Sequence, residues 1–396
     1  MSVAASTSRE ALTTATSHAP DDAGYGRARL RLGITGVGLW VLFCTTFLLA
    51  DTPTAVRTQL PPGPIGDGLL VASLLLVYVV VQLPLDLLGG YLVPKSFGRD
   101  IPTAADYSRA LARGVFGHCG LLATSAIVLY VGGLSGGMFG ALAAGLAWIG
   151  LLAAARGQIA RRVAALPTET KQHSQADLET LSTKLINSAD EGFTGGITGL
   201  VKPRTNCAPA AWEERLTPEQ FALTQARRSE VVRSGAWRFG RIAALTFNAV
   251  GLMFALTMAG SSAAGTGVGV VETSLWFTLW SFMGLLTLPT LSRAAVQYVD
   301  ERLINRGVDR KQLDDLISEL DRMQDGETER HLWIERVFHP IPSVANRHRR
   351  RRVVRGKFWD VARTSVYLGI AGMSLLTRSV HCNVGRPALW VWLPVD

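Results

Sequence analysis

The side chains best able to do chemistry in this 396-residue chain are few and scattered. Two His-Cys dipeptides, His118-Cys119 and His381-Cys382, together offer four ligands of the kind zinc takes. His331, His339 and His348 share one stretch, but none stand four apart, the spacing that sets two imidazoles on one helix face, and Pro340 and Pro342 interrupt it. Cys207 has no histidine near it in sequence. Neither feature makes a recognisable catalytic set. Asp86 lies in an apolar run beside Pro84 and the pair Gly89-Gly90. A carboxylate there can serve ion or proton chemistry, or simply bond a neighbouring helix, and the second use is the commoner. Arg227 and Arg228 are adjacent. Arg228 shares a helical stripe with Phe221 and Val232, a spacing that predicts an inward guanidinium in need of an acceptor.

The elements that must position these groups are set by hydropathy. Charged residues make up 18% of the chain, against roughly 25% in ordinary globular domains. Four cysteines cannot staple a chain of this length, and glycine shows no three-residue period, so disulfide-scaffold and collagen-like classes are excluded. Six stretches meet or approach the ~20 apolar residues that a bilayer requires: Leu32 to Ala50, Leu69 to Val93, Gly114 to Leu134, Met138 to Ala155, Ile242 to Ala259 and Leu275 to Leu291. A seventh, Val361 to Thr377, is shorter and carries Arg363. The expected fold is therefore all-α: a polytopic integral membrane protein with six or seven transmembrane helices. Small residues four apart, Gly133 with Gly137, Gly136 with Gly140 and Ala141 with Gly145, predict a tight hairpin of the third and fourth spans.

Arg and Lys alternate around these stretches as the positive-inside rule requires, which places the N-terminus and the polar regions 156–241 and 292–360 in the cytoplasm. The domains read as a disordered cytoplasmic tail over 1–31, a four-helix membrane region over 32–155, a cytoplasmic domain over 156–360 that includes the spans 242–259 and 275–291, and a membrane-associated segment over 361–396. No cleaved signal peptide is expected, since the apolar stretch begins only at Leu32 without a small-x-small site. On this topology His118 sits near the inner end of span three and His381 beyond the outer end of span seven, so they share no metal.

Three polar segments carry a pattern. Leu216 to Val232, LTPEQFALTQARRSEVV, reads as a helix with Thr217 as N-cap and Pro218 in the first turn. LSRAAVQYVDERLINRGVD follows span six, and VFHPIPSVANR comes later. This order resembles the membrane-embedded zinc endopeptidases related to HtpX and the CAAX prenyl protease. In that family a helix beginning L-x-x-E-E-L ends A-H-E-x-x-H, followed by S-R-x-x-E-x-x-A-D and T-H-P-x-x-x-x-R. Leu216 through Ala226 match the first motif without a gap; Ser292, Arg293 and Asp300 match the second; His339, Pro340 and Arg347 approximate the third. The resemblance covers roughly residues 180 to 350 and implies a cytoplasmic metallopeptidase-like helical domain.

The residues that carry the family's chemistry are replaced. The first and second His positions fall at Arg227 and Val231, the general-base Glu at Arg228 and the third ligand at Val296. Zinc needs a lone pair, which arginine and valine do not offer, and Arg228 cannot take a proton from metal-bound water. No catalytic residue, metal ligand or cofactor is therefore assigned. The chain reads as a pseudopeptidase that binds or regulates membrane protein partners. The competing readings are an active zinc metalloendopeptidase and a small transporter or channel. At the degenerate site, Arg227 or Arg228 is expected to bond Asp300 and hold two helices together, or else to accept an anionic ligand. Residues 347–357 hold seven of the basic charges without an acid and, so close to the membrane, read as a contact for anionic lipid rather than nucleic acid.

Overall fold

Long apolar helices dominate because a chain inside hydrocarbon must satisfy its own backbone polar groups. The computed structural model describes residues 22–163, 168–173, 181–188, 190, 192–199, 204–260, 264–324, 330–349 and 356–391. Its first part comprises α1 (Asp22–Leu49), α2 (Thr52–Arg57), α3 (Pro64–Leu87), a π-helical turn (Leu88–Leu92), α4 (Val93–Ser96) and α5 (Ala104–Val163). Strands β1 (Thr168–His173), β2 (Leu181–Ile186), β3 (Gly196–Thr198) and β4 (Arg204–Pro209) follow. The remainder is α6 (Trp212–Arg215), α7 (Pro218–Arg233), α8 (Ala236–Ala259), α9 (Gly267–Ile304), α10 (Arg310–Gln324), α11 (Leu332–Phe338), α12 (Val344–Arg349) and α13 (Val361–Leu368).

Among the described residues, five helices are long and apolar enough to cross a membrane: α1, α3 with its extension to Ser96, α5, α8 and α9. The 60-residue α5 is two legs, broken where Gly136 and Gly137 leave helical geometry, with Gly137 at φ +58°. The legs meet at Gly132 and Gly140, where a Cβ on Gly140 would stand 2.2 Å from the Gly132 carbonyl oxygen. The hairpin read from small-residue spacing is therefore present, although Gly133 packs on Gly265 in the α8–α9 connection rather than on the other leg.

Three expectations are corrected. The described residues are mostly helical but include four strands, so helix dominates and the all-α description is incomplete. The strands form one mixed sheet in the order β1-β2-β4-β3, parallel between β2 and β4 and antiparallel elsewhere. The tail assigned to 1–31 lies outside the described residues up to position 21, and from Asp22 onward it is already α1.

The third correction concerns the seventh stretch. It is helical only over α13, a run of 8 residues, and then passes through a 3₁₀ turn at Gly369–Gly372 into consecutive turns, buried almost throughout to Val391. Irregular backbone among membrane helices is tolerated only where protein satisfies it. Here Ser274 Oγ donates to the Met373 carbonyl at 2.8 Å, the Leu375 N–H donates to Thr278 Oγ1 at 3.1 Å, and Tyr367 donates to the Leu152 carbonyl at 2.9 Å. The segment is a plug that turns back among the other helices. His381 consequently lies against His339, ring centroids 4.8 Å apart, and not at the far end of a span.

Asp86 anchors this plug. It is fully buried and pairs with Arg378, equally buried, whose Nε donates to Asp86 Oδ2 at 3.1 Å and whose Nη2 also donates there. The Gly385 N–H donates to the other oxygen at 2.9 Å. The Trp390 ring lies 4.4 Å from the Arg378 guanidinium carbon, and Tyr78 covers it from 5.2 Å. One helical turn on, Arg29 from α1 donates to the carbonyls of Gly89, His381 and Val384 at 2.6, 3.0 and 3.2 Å. Gly90 sits in the π-helical turn because a Cβ there would lie 1.9 Å from the Gly385 carbonyl oxygen. Removing one member of a buried pair strands the other charge, at a cost of about 3–5 kcal/mol, while replacing both with apolar residues of similar volume is often neutral. Asp86→Ala and Arg378→Ala should each lower the unfolding midpoint in detergent sharply, and Asp86→Leu combined with Arg378→Met should lose much less than the two single changes together.

Candidate functional site

The first motif helix, α7, starts as its sequence requires. Thr217 Oγ1 accepts the Gln220 N–H at 3.2 Å and Gln220 Oε1 accepts the Thr217 N–H at 3.0 Å, a capping box, with Pro218 in the first turn. Its buried face is unusually polar, comprising Thr224, Gln225, Arg227, Arg228, Ser229 and Glu230 along with Val231. Buried polar groups need partners, and these find them in three directions.

Toward α9, Arg227 Nε donates to Asp300 Oδ1 at 2.9 Å, with side chains 2% and 10% exposed. The other Asp300 oxygen accepts Arg347, and Arg347 Nε donates to the Pro342 carbonyl at 3.0 Å. Asp300 is thus shared by guanidinium groups from the first and third segments. Burial draws the Arg347 guanidinium down from its ordinary range, and the Asp300 carboxylate opposes that shift. Arg347 therefore faces inward instead of a lipid surface, which corrects the first position of the basic run. Positions 350–355 of that run lie outside the described residues.

Toward the sheet, Arg228 Nη1 donates to Asn206 Oδ1 at 2.7 Å and to the Cys207 carbonyl at 2.9 Å, and its Nη2 donates to the Thr194 carbonyl at 2.5 Å. The guanidinium carbon stands 5.0 Å from the Trp212 ring. Of the two adjacent arginines, only Arg227 is bonded to Asp300 by a described contact; Arg228 ties α7 to β4 and to the residues just before β3. Gln225 Oε1 adds an acceptor for Thr183 Oγ1 at 2.8 Å and for Asn206. Burial pushes the Cys207 thiol up, which makes it a poor nucleophile.

At its C-terminal end, the fully buried Glu230 accepts Arg302 Nε at 2.5 Å and Arg306, and lies 3.4 Å from Arg233. No sequence motif marked this cluster; the i, i+4 spacing of Arg302, in the last turn of α9, and Arg306, just beyond its end, was the available signal.

The second and third motif segments also meet. Arg293 Nη1 donates to the carbonyls of Glu335 and His339 at 2.5 and 2.8 Å, and Glu335 Oε2 accepts the Ser343 N–H at 2.9 Å and Asn346 Nδ2 at 2.8 Å. His339 is buried. Burial holds its imidazole well below the usual range, and the neighbouring charges of Arg330, His381, Arg363 and Arg293 reinforce the shift, so the ring is neutral. His331 is exposed at the start of α11, and His348 falls in α12. His118 stands elsewhere, against Tyr78 and Trp390.

At the two positions that the motif register assigns to the second and third ligands, Val231 and Val296 are 0% and 3% exposed and belong to one apolar cluster with Ala236, Trp237, Val299 and Trp359. Together with Arg227 these residues supply no lone pair, so they do not fit zinc. Among the described residues, no group of three His, Cys, Asp or Glu side chains could hold a metal ion. The arrangement can cross-link helices and bury charge; it offers no poised acid or base. A scan against models of known protein families returns no match, and a search of curated proteins returns none either.

Asp300→Ala strands two guanidinium groups and should cost about 3–5 kcal/mol, read as a lowered unfolding midpoint in detergent. His339 generates a pH test. The unfolded imidazole takes up a proton near pH 6.5 and the folded one does not, so the unfolded state binds more protons below that pH and stability falls on acidification. Between pH 6.5 and 5 the parent protein should lose stability more steeply than His339→Gln.

Proposed function

We propose that this chain is a membrane-integral pseudopeptidase: a relative of the HtpX and CAAX-protease zinc endopeptidases that has exchanged its metal for a charge clamp and works by binding or regulating membrane protein partners. The observation that carries the reading is the Arg227–Asp300–Arg347 cluster beside the packed pair Val231 and Val296. Three segments chosen by motif order alone are neighbours in space, and the first-ligand position is taken by a cation, where zinc would have joined the same helices. A pair of this kind keeps the helices in register whether or not a reaction takes place, which suits a scaffold.

The reading has six crossings, with the hairpin of α5 counted twice, and puts the N-terminus and the motif-bearing region on the cytoplasmic face. The support for that sidedness is the Arg and Lys distribution, including Arg27, Arg31, Lys95, Arg161 and Arg162. The functional partner is another membrane protein, engaged without cleavage.

Two measurements test this. Elemental analysis of the purified protein should find no stoichiometric zinc, and casein should not be cleaved in a chelator-sensitive manner; either result in the other direction overturns the proposal. The second installs His at 227 and 231 with Glu at 296. If the scaffold is that of the family, R227H/V231H/V296E should gain stoichiometric zinc and a zinc-dependent rise in unfolding midpoint, as linkage of binding to folding requires. A variant that folds and ignores zinc would sink the family relationship.

A further inference from the structure

We propose that α11 is an interfacial helix, with Trp333 and Ile334 seated in the headgroup layer of the bilayer that α1 and α9 cross, and Arg336 at the polar edge of that layer. The helix reads LWIERVF from Leu332 to Phe338. Trp333 and Ile334 are 66% and 39% exposed, so packing within the chain does not account for either side chain. The Arg336 guanidinium carbon stands 5.2 Å from the Trp333 ring, which makes the outward face aromatic, aliphatic and cationic. The one carboxylate of α11 is turned the other way: Glu335 is buried and accepts the Ser343 N–H and Asn346 Nδ2. A helix lying on a membrane has this composition, with Trp at headgroup level and basic side chains reaching toward water.

Two crossing helices fix the depth of α11 independently. On α9, Met283, Leu286 and Leu291 are exposed, whereas Ser292 to Val296 are all buried. Arg293 lies about 3 Å further along the axis than Leu291, at 1.5 Å per residue, and donates to the carbonyls of Glu335 and His339. α11 is thereby pinned where the exposed apolar stripe of α9 ends. On α1, the uncharged run from Leu32 to Ala50 begins immediately after Arg31. Phe338 shares a groove with Leu30 and Ile34, on either side of that boundary, and with Leu286 and Pro289 of α9. Ile34 and Leu286 are themselves exposed, so the groove joins α11 to the lipid-facing sides of both helices. Each helix places α11 where hydrocarbon gives way to headgroups. A protein partner fits less well, because two exposed side chains offer at most a few hundred Å² against the roughly 800 Å² per partner of a stable protein interface. The helix is also tied to the charge clamp, since Asn346, held by Glu335, precedes Arg347 in α12 and Arg347 pairs with Asp300. The inference uses the crossings of α1 and α9 and does not depend on the pseudopeptidase reading.

The test reconstitutes the full chain in phosphatidylcholine nanodiscs and maps two photoactivatable probes by mass spectrometry: a phosphatidylcholine with its reactive group beside the glycerol, and a small neutral water-soluble reagent. The lipid probe should label Trp333 and Ile334 as it labels positions 286–291 of α9. The water-soluble probe should label Lys311 and Gln312, exposed residues of α10, about tenfold more than Trp333 and Ile334. Trp333→Asp combined with Ile334→Asp should cut lipid labelling of positions 332–338 about tenfold while leaving 286–291 unchanged, and Trp333→Tyr should keep it. Lipid labelling confined to the long helices, or aqueous labelling of Trp333 and Ile334 as strong as that of Lys311, would overturn the proposal. Protection of both residues from both probes would overturn it too, in favour of a covering protein surface. The same holds for a double variant of parental unfolding midpoint that keeps its lipid labelling; should that variant not fold, labelling of the parent alone decides.

Discussion

A carboxylate and a guanidinium, both fully buried and 292 residues apart in sequence, hold this molecule together. Neither Asp86 nor Arg378 is tolerable alone in an apolar interior, because the desolvation of an isolated ion far exceeds what packing returns. Each therefore dictates the position of the other. Around the pair the plug finds the rest of its anchoring: Gln82 Oε1 accepts both Trp40 Nε1 and Ser379 Oγ, and Tyr107 donates to the Asp86 carbonyl. α1, α3, the first leg of α5 and the C-terminal plug all converge there.

The polar region that carries α7 and the sheet repeats the device at a second level. Asp300 is shared by Arg227 and Arg347, and Glu230 by Arg302 and Arg306, so two carboxylates join α7, α9 and the segment after α11. Arg228 does similar work through backbone carbonyls. The result is a polar seam between helices and sheet, flanked by the apolar cluster of Val231, Val296 and Trp359. A seam of this kind specifies one register among helices, which a purely apolar contact does less sharply.

The parts of this structure legible in sequence are those governed by local chemistry. Apolar length located the five long helices, paired small residues located the α5 hairpin, and the Thr217–Gln220 box located the start of α7. The pairing of Arg227 with Asp300 was legible only through the motif register. The sheet was not, because its central contact is a parallel pairing of two six-residue strands, β2 and β4, whose partners lie far apart in sequence. The acceptors of Arg228 include carbonyls, which no residue type announces. The plug was misread for a physical reason: a segment buried by protein on all sides is as apolar as one buried by lipid, and Arg378 looks like a helix flank until Asp86 is opposite it.

The plug also imposes an order of assembly. Its residues emerge from the ribosome after the helices they seal, so while the next 292 positions are made Asp86 waits without its counter-ion. Until Arg378 arrives, the cavity among α1, α3 and α5 must be covered by lipid, water or a chaperone. A chain stalled or clipped before position 378 therefore displays an orphan carboxylate among its apolar helices.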